Sequence, residues 1–175
     1  MQPQNLLTTI EVRQAMDSDL STVVEILDEQ LAHHVRASGG DVEILTEDFL
    51  RETLEDSKML VAAVEGEPIG YLQYQIEPPR LVVNGTAIRA TYQRRGLGTF
   101  LFAQVLEAAE ARGCDTVEIS VQPTNVEVWE TYRRYGFREA PQDSEWNRRL
   151  VHQLPAVRRA VDDKLQTLRL PADFG

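Results

Sequence analysis

Residues 81–113 read LVVNGTAIRATYQRRGLGTFLFAQVLEAAEARG. Leu81 to Ala90 predicts a buried strand, and Asn84-Gly85 inside it predicts a bulge or a close backbone approach. From Thr99 the spacing predicts a helix with Leu101, Val105 and Ala108 on one stripe, closed by Gly113. Between strand and helix lies the turn Gln93-Arg94-Arg95-Gly96-Leu97-Gly98. A glycine turn that opens a helix lets backbone approach a ligand closely. The free N–H groups of the first helical turn then face an anion. Two arginines beside the turn suit a phosphate. The plainer reading of the same residues is a tight strand-to-helix turn with solvated arginines.

Two familiar phosphate turns do not fit. A P-loop needs Lys-Ser or Lys-Thr after its last glycine, whereas Gly98 is followed by Thr99-Phe100. A dinucleotide fingerprint needs three glycines near the start of the sheet; here only Gly96 and Gly98 are present, past mid-chain.

At 175 residues the chain reads as one domain, able to bury roughly 70% of its unfolded surface. The formal net charge is -10, with Asp and Glu interleaved with Arg rather than blocked. A nucleic-acid partner would call for a basic face, so none is expected. The acidity is read first as simple solubility, and it also fits a cationic or amine substrate. The single cysteine, Cys114, excludes an intramolecular disulfide and a cysteine-based metal site, and no metal is expected. No apolar run approaches membrane length and no signal peptide is visible. The expected location is therefore cytoplasmic, without a membrane.

Residues 1–8 read as a loose terminus. Thr9 to Arg13 alternates as a first strand. Asp17 or Ser18 then caps a helix carrying Leu20, Val23, Val24, Leu27 and Leu31 to about His34, broken by Ser38-Gly39-Gly40. Thr46-Glu47-Asp48 opens a second helix. Met59–Val64 and Ile69–Ile76, joined by Glu65-Gly66-Glu67-Pro68, predict a hairpin that Pro78-Pro79 stops. Thr116–Val121 alternates as a strand, and Asn125 or Thr124 caps a further helix that Gly136 ends. Phe137 begins one strand and Arg148–Gln153 forms another. Pro155 opens a terminal helix with Val157, Val161, Leu165 and Leu168 along one stripe. The expected fold class is α+β: a mixed, mostly antiparallel sheet with helices on both faces and an extra C-terminal helix. The strand–helix–strand unit at 81–121 supplies one parallel pair. Residues 9–153 form the domain, and 154–175 the C-terminal helix and tail.

Here the chain resembles the GNAT superfamily of N-acetyltransferases. One motif is Q/R-x-x-G-x-G/A, present as Gln93 to Gly98. The other pairs an asparagine with Y-x-x-x-G-F, present as Asn125, Tyr132, Gly136 and Phe137. The resemblance implies acetyl-CoA as the acyl-donor cosubstrate. It places the pyrophosphate on backbone N–H groups of Arg94, Arg95, Gly96, Leu97, Gly98 and Thr99. It makes Ile88, Arg89 and Ala90 the segment that pairs with the pantetheine arm like an added strand. Asn125 then contacts the cofactor near its pantetheine, and the Tyr132 hydroxyl lies by the cofactor sulfur. A tyrosine can donate a proton to a departing thiolate of lower basicity, which makes Tyr132 the candidate general acid. Tyr135 reads as packing or as lying near the cofactor.

One departure stands out. Some relatives carry a catalytic glutamate five residues before the asparagine; here that residue is Ser120. Residues 81–90 contain no carboxylate. Ser120, Glu118 on the same face, and Glu77 are the base or water-positioning candidates. His33 and His34 lie where relatives shape the acceptor site. The expected activity is acetyl transfer to a primary amine, small-molecule or peptide, by direct attack in a ternary complex. A sensor that binds acyl-CoA without turnover is the second reading, favoured by the missing carboxylate and opposed by Tyr132. The terminal helix suits docking on its own domain or a homodimer contact, outside the active site.

Overall fold

The computed structural model describes residues 10–37, 39, 45–121, 124–141 and 148–168. The expected loose terminus, Thr9, Ser38, Gly40 and the tail from residue 169 lie outside them. The elements run β1 (Ile10–Gln14), α1 (Leu20–Ala37), α2 (Glu47–Thr53), β2 (Lys58–Val64), β3 (Glu67–Glu77), β4 (Arg80–Ile88), α3 (Leu97–Ala111), β5 (Thr116–Val121), α4 (Val126–Arg134), β6 (Arg138–Glu139), β7 (Arg148–Gln153) and α5 (Leu154–Thr167). Among the described residues the sheet has seven strands in the order β1-β2-β3-β4-β5-β7-β6. Only β4 and β5 pair parallel; every other neighbouring pair is antiparallel.

Strand alternation sorts the core into two layers. Val61, Tyr71 and Ala87 face one way and are covered by Leu20, Val23, Ile26 and Leu27 of α1 and Leu50 of α2. Leu72, Leu81, Val83, Val117, Ile119 and Val121 face the other way, under Leu101, Phe102, Val105 and Leu106 of α3. Val157 and Val161 of α5 are buried in this second layer. The apolar stripe of α5 is thus used inside the chain, and its two valines offer no dimer face.

Element boundaries moved where local chemistry competed with periodicity. Neither Asp17 nor Ser18 caps α1. A short 3-10 turn, Asp17–Asp19, precedes it, and the Asp19 carboxylate accepts the Met16 N–H at 2.7 Å. Helix α1 runs past His34 to Ala37. β3 begins at Glu67, two residues earlier than its alternation predicts. A bulge at Ala62/Ala63 leaves Ile69 as the extra residue, so that Pro68, which has no N–H to give the ladder, pairs with Ala63 near the strand's start. β4 ends at Ile88 rather than Ala90, because Ala90–Tyr92 forms a 3-10 turn. α3 starts at Leu97 rather than Thr99, since Leu97 already buries its side chain.

Candidate active site

The Gln93–Gly98 turn delivers an uncapped helix. Gly96 is the N-cap of α3 at φ 83°, a left-handed conformation that costs a residue with a Cβ. It has no side chain to bond the first turn. The first intrahelical bond is Phe100 N–H to the Gly96 carbonyl at 2.9 Å. The N–H groups of Leu97, Gly98 and Thr99 therefore lack helical acceptors. Arg94 also sits at positive φ, 62°, so left-handed residues at 94 and 96 curl the backbone around this point. A Cβ added at Gly98 would meet nothing of the chain nearer than Ile88 Cγ1, at 4.0 Å. Packing does not demand a glycine there, and the space it leaves is open to a ligand. Arg94 and Arg95 are exposed at the rim.

Beside this turn the sheet opens. β4 and β5 pair only from Arg80↔Thr116 to Val83↔Ile119. β4 then follows β3 to Ile88, while β5 follows β7 to Val121. The expected bulge lies at the divergence: Tyr74 pairs with Val83 and Gln73 with Gly85, leaving Asn84 as the extra residue. A bulge adds local twist and turns the bulged strand aside. The result is a wedge between two parallel strands, with its β4 edge at residues 84–88.

Tyr132, from α4, shares a cavity with Gly98 and Thr99 at the start of α3. Its ring is edge-on to Phe102 at 6.2 Å and to Phe137 at 5.5 Å. Leu72, Thr86, Gly98, Thr99, Phe102, Thr131, Tyr132, Tyr135, Val161 and Lys164 line one cavity of about 180 Å³. Desolvation by these apolar neighbours, aided by Tyr135, pushes the Tyr132 hydroxyl up to about 12. It holds its proton at neutral pH, where the hydroxyl is a hydrogen-bond donor, and the same shift makes it a weaker acid than a free tyrosine. Asn125 caps α4, its Oδ1 accepting the Val128 N–H at 3.4 Å. That leaves the amide N–H groups of Asn125 as donors.

Several other sequence candidates have side chains engaged within the chain. Arg89 is committed to α1, with its guanidinium on Glu29 at 2.9 Å and Glu25 at 3.1 Å. The Gln93 side chain acts as a strut, donating to the Ile88 carbonyl at 2.8 Å and to Gln30 Oε1 at 2.7 Å. Ala90 is exposed in the 3-10 turn. Glu118 and Ser120 alternate with Val117, Ile119 and Val121, so they occupy the sheet face opposite the cavity. Glu118 is bonded to Arg149 and, at 3.5 Å, to Arg80. Glu77 is also held by Arg80, at 2.9 Å. The His33 and His34 rings lie with centroids 3.8 Å apart and planes tilted at 42°. The Thr124 hydroxyl donates to the His34 carbonyl at 3.1 Å, which ties the end of α1 to the start of α4. Burial and then His33 lower the His34 pKa, so its imidazole favours the neutral form.

Sequence reasoning missed Leu72, Thr86, Phe102, Thr131, Val161 and Lys164 as cavity residues. For α5 a signal existed. Val157, Val161 and Lys164 fall at i, i+4 and i+7, so a lysine occupies a position on the buried stripe.

Among the described residues no cluster of three His, Cys, Asp or Glu could hold a metal, and no helix is long and apolar enough to cross a membrane. Over 115 residues the chain is 30% identical to mycothiol acetyltransferase of Clavibacter michiganensis subsp. michiganensis (strain NCPPB 382), covering 65% of this chain and 36% of that protein. It is 27% identical over 94 residues to the uncharacterized N-acetyltransferase YvbK of Bacillus subtilis (strain 168), covering 53% and 61%. The chain thus spans less than two thirds of either relative. In structure it is similar to PaiA N-acetyltransferase of Thermoplasma acidophilum, solved in complex with coenzyme A. The TM-score is 0.68, at 17% identity over 82% of this chain and 98% of that one. Residues 22–137 match the acetyltransferase (GNAT) family, and the chain belongs to that family.

Proposed function

We propose that the protein transfers an acetyl group from acetyl-CoA to a primary amine by direct attack in a ternary complex. One observation carries this reading: Tyr132 and the open start of α3 at Gly98 and Thr99 line the same cavity. The N–H groups of Leu97, Gly98 and Thr99 bind the pyrophosphate, with Arg94 and Arg95 at the rim. The edge of β4 at residues 84–87, beyond its pairing with β5, hydrogen-bonds the pantetheine amides, as an added strand would. The Asn125 amide N–H groups donate to the same arm.

The thioester carbonyl then sits in the wedge near Tyr132. The lone pair of a neutral amine attacks the carbonyl carbon, the C–N bond forms and the C–S bond breaks. Tyr132 gives its proton to the leaving thiolate, the amine loses one proton to solvent or a nearby base, and solvent returns a proton to Tyr132. His34, neutral and tied to Thr124, stands on the α1 side, where an acceptor would enter. Neither Glu118 nor Glu77 is free of an arginine, which supports water or imidazole over a carboxylate as the proton acceptor.

The arginine-paired glutamates also favour a second reading, a sensor that binds acyl-CoA without turnover. CoA release measured on a panel of amines, alongside an acetyl-CoA binding isotherm, separates the two. Binding with release supports transfer, and binding without release on any amine supports the sensor. Absence of binding removes both.

A further inference from the structure

Helix α5 was expected to stand apart from the site, yet two of its side chains, Val161 and Lys164, form one wall of the cavity that holds Gly98, Thr99 and Tyr132. Val161 is buried and fixes the helix against the second core layer. Lys164 follows three residues later on the same face, in the last turn of α5. Its Nζ lies 5.4 Å from the centroid of the Tyr135 ring, which also lines the cavity. The ring holds the ammonium without neutralising it.

Among the described residues that line the cavity, Lys164 is the one charged side chain, and no Asp or Glu joins it. The adjacent carboxylate of Asp162 is bonded to Arg158 at 3.3 Å instead. In a chain of formal charge -10, this cavity therefore brings together a lysine and the uncapped N–H groups of Gly98 and Thr99. All three favour an anion, and they arrive from separate elements, α5 and α3.

We propose that Lys164 is a phosphate ligand of the acyl-CoA, so that the C-terminal helix completes the cofactor site. This inference rests on the acetyl-CoA reading above. The lysine supplies a positive charge that the turn at α3 supplies only as backbone dipoles. It also gives α5 a binding role beyond its contribution to the core.

The test is calorimetric titration of the full-length chain, its Lys164→Gln variant and its Lys164→Arg variant. Each is titrated with acetyl-CoA and with S-acetyl-pantetheine, which has the thioester arm but no nucleotide phosphates. Lys164→Gln should bind acetyl-CoA about tenfold more weakly, the size of a lost charge-assisted hydrogen bond. Its affinity should depend less on salt than that of the unmodified protein. Lys164→Arg should retain most of the affinity, and S-acetyl-pantetheine should not distinguish the three proteins. Equal acetyl-CoA affinity for the unmodified protein and Lys164→Gln at low salt would overturn the assignment while leaving the cofactor reading intact. Equal loss toward both ligands would overturn it too, by making Lys164 a packing residue. No acetyl-CoA binding by the unmodified protein would remove the cofactor reading and this inference together.

Discussion

The ring of Tyr132 meets that of Phe137 edge to face, with centroids 5.5 Å apart and planes at 71°. Phe102 closes on it at 6.2 Å and 83°. These contacts hold the ring without using the hydroxyl. Tyr132→Phe should therefore leave the fold and the acetyl-CoA affinity nearly unchanged. If the hydroxyl protonates the departing thiolate, kcat and kcat/KM should fall together, on the order of 10²-fold. Steady-state CoA release and a binding isotherm check this. An unchanged kcat would remove the general-acid role, and loss confined to affinity would make Tyr132 a cofactor ligand.

Gly96→Val should damage acetyl-CoA binding more than folding. The position has φ 83°, so a β-branched residue there costs about 1–2 kcal/mol or shifts the turn. Either response displaces the N–H groups of Leu97, Gly98 and Thr99. We expect a modest fall in melting temperature and a loss of affinity of at least about tenfold. A folded variant with normal affinity would show that the pyrophosphate binds elsewhere.

Val157→Ala tests α5 as part of the core. Val157 is fully buried and does not line the cavity. Removing its two methyls should cost roughly 2–3 kcal/mol, by transfer and cavity terms together. Acetyl-CoA affinity of the folded variant should be unchanged. Chemical denaturation gives the first quantity and calorimetry the second, and a loss below about 0.5 kcal/mol would mean that α5 is only loosely docked.

Asp19 gives the stability of the fold a pH dependence. Its carboxylate is 3% exposed and accepts from Arg13 at 2.6 and 2.9 Å and from the Met16 N–H at 2.7 Å. The Arg13 hydrogen bond is the main cause holding its pKa below the ordinary 3.8. The unfolded chain therefore takes up this proton first as the pH falls. The contribution of Asp19 is complete above the unfolded value and is lost as the pH falls through the lower folded value. Asp19→Asn should cost about 2 kcal/mol at neutral pH. The stability curves of variant and unmodified protein should converge below pH 3.8. A gap that persists undiminished well below that pH would show that the loss comes from packing and not from charge.

The sequence by itself determined the element order, because hydrophobic period and turn residues are local. The alternation in Thr116–Val121 needs only period two, and the Gln93–Gly98 turn placed the start of α3 to within two residues, at Thr99 against the observed Leu97. The bulge beside Asn84-Gly85 was readable for the same reason. Tyr132 and the Gln93–Gly98 turn were legible through their fixed spacing, which carried a resemblance as well as chemistry.

Tertiary structure decided what each polar side chain is spent on. The side chains of Gln93 and Arg89 are spent on Gln30, Glu25 and Glu29, some sixty residues away on α1. Glu118 looks like a base until Arg149 and Arg80 arrive from neighbouring strands. Lys164 looks like a solvated helix charge until α5 packs across α3 and brings it to the cavity of Gly98 and Tyr132. Ion pairing and desolvation depend on distance in space. Spacing along the chain limits that distance only within an element, and packing between elements sets the rest.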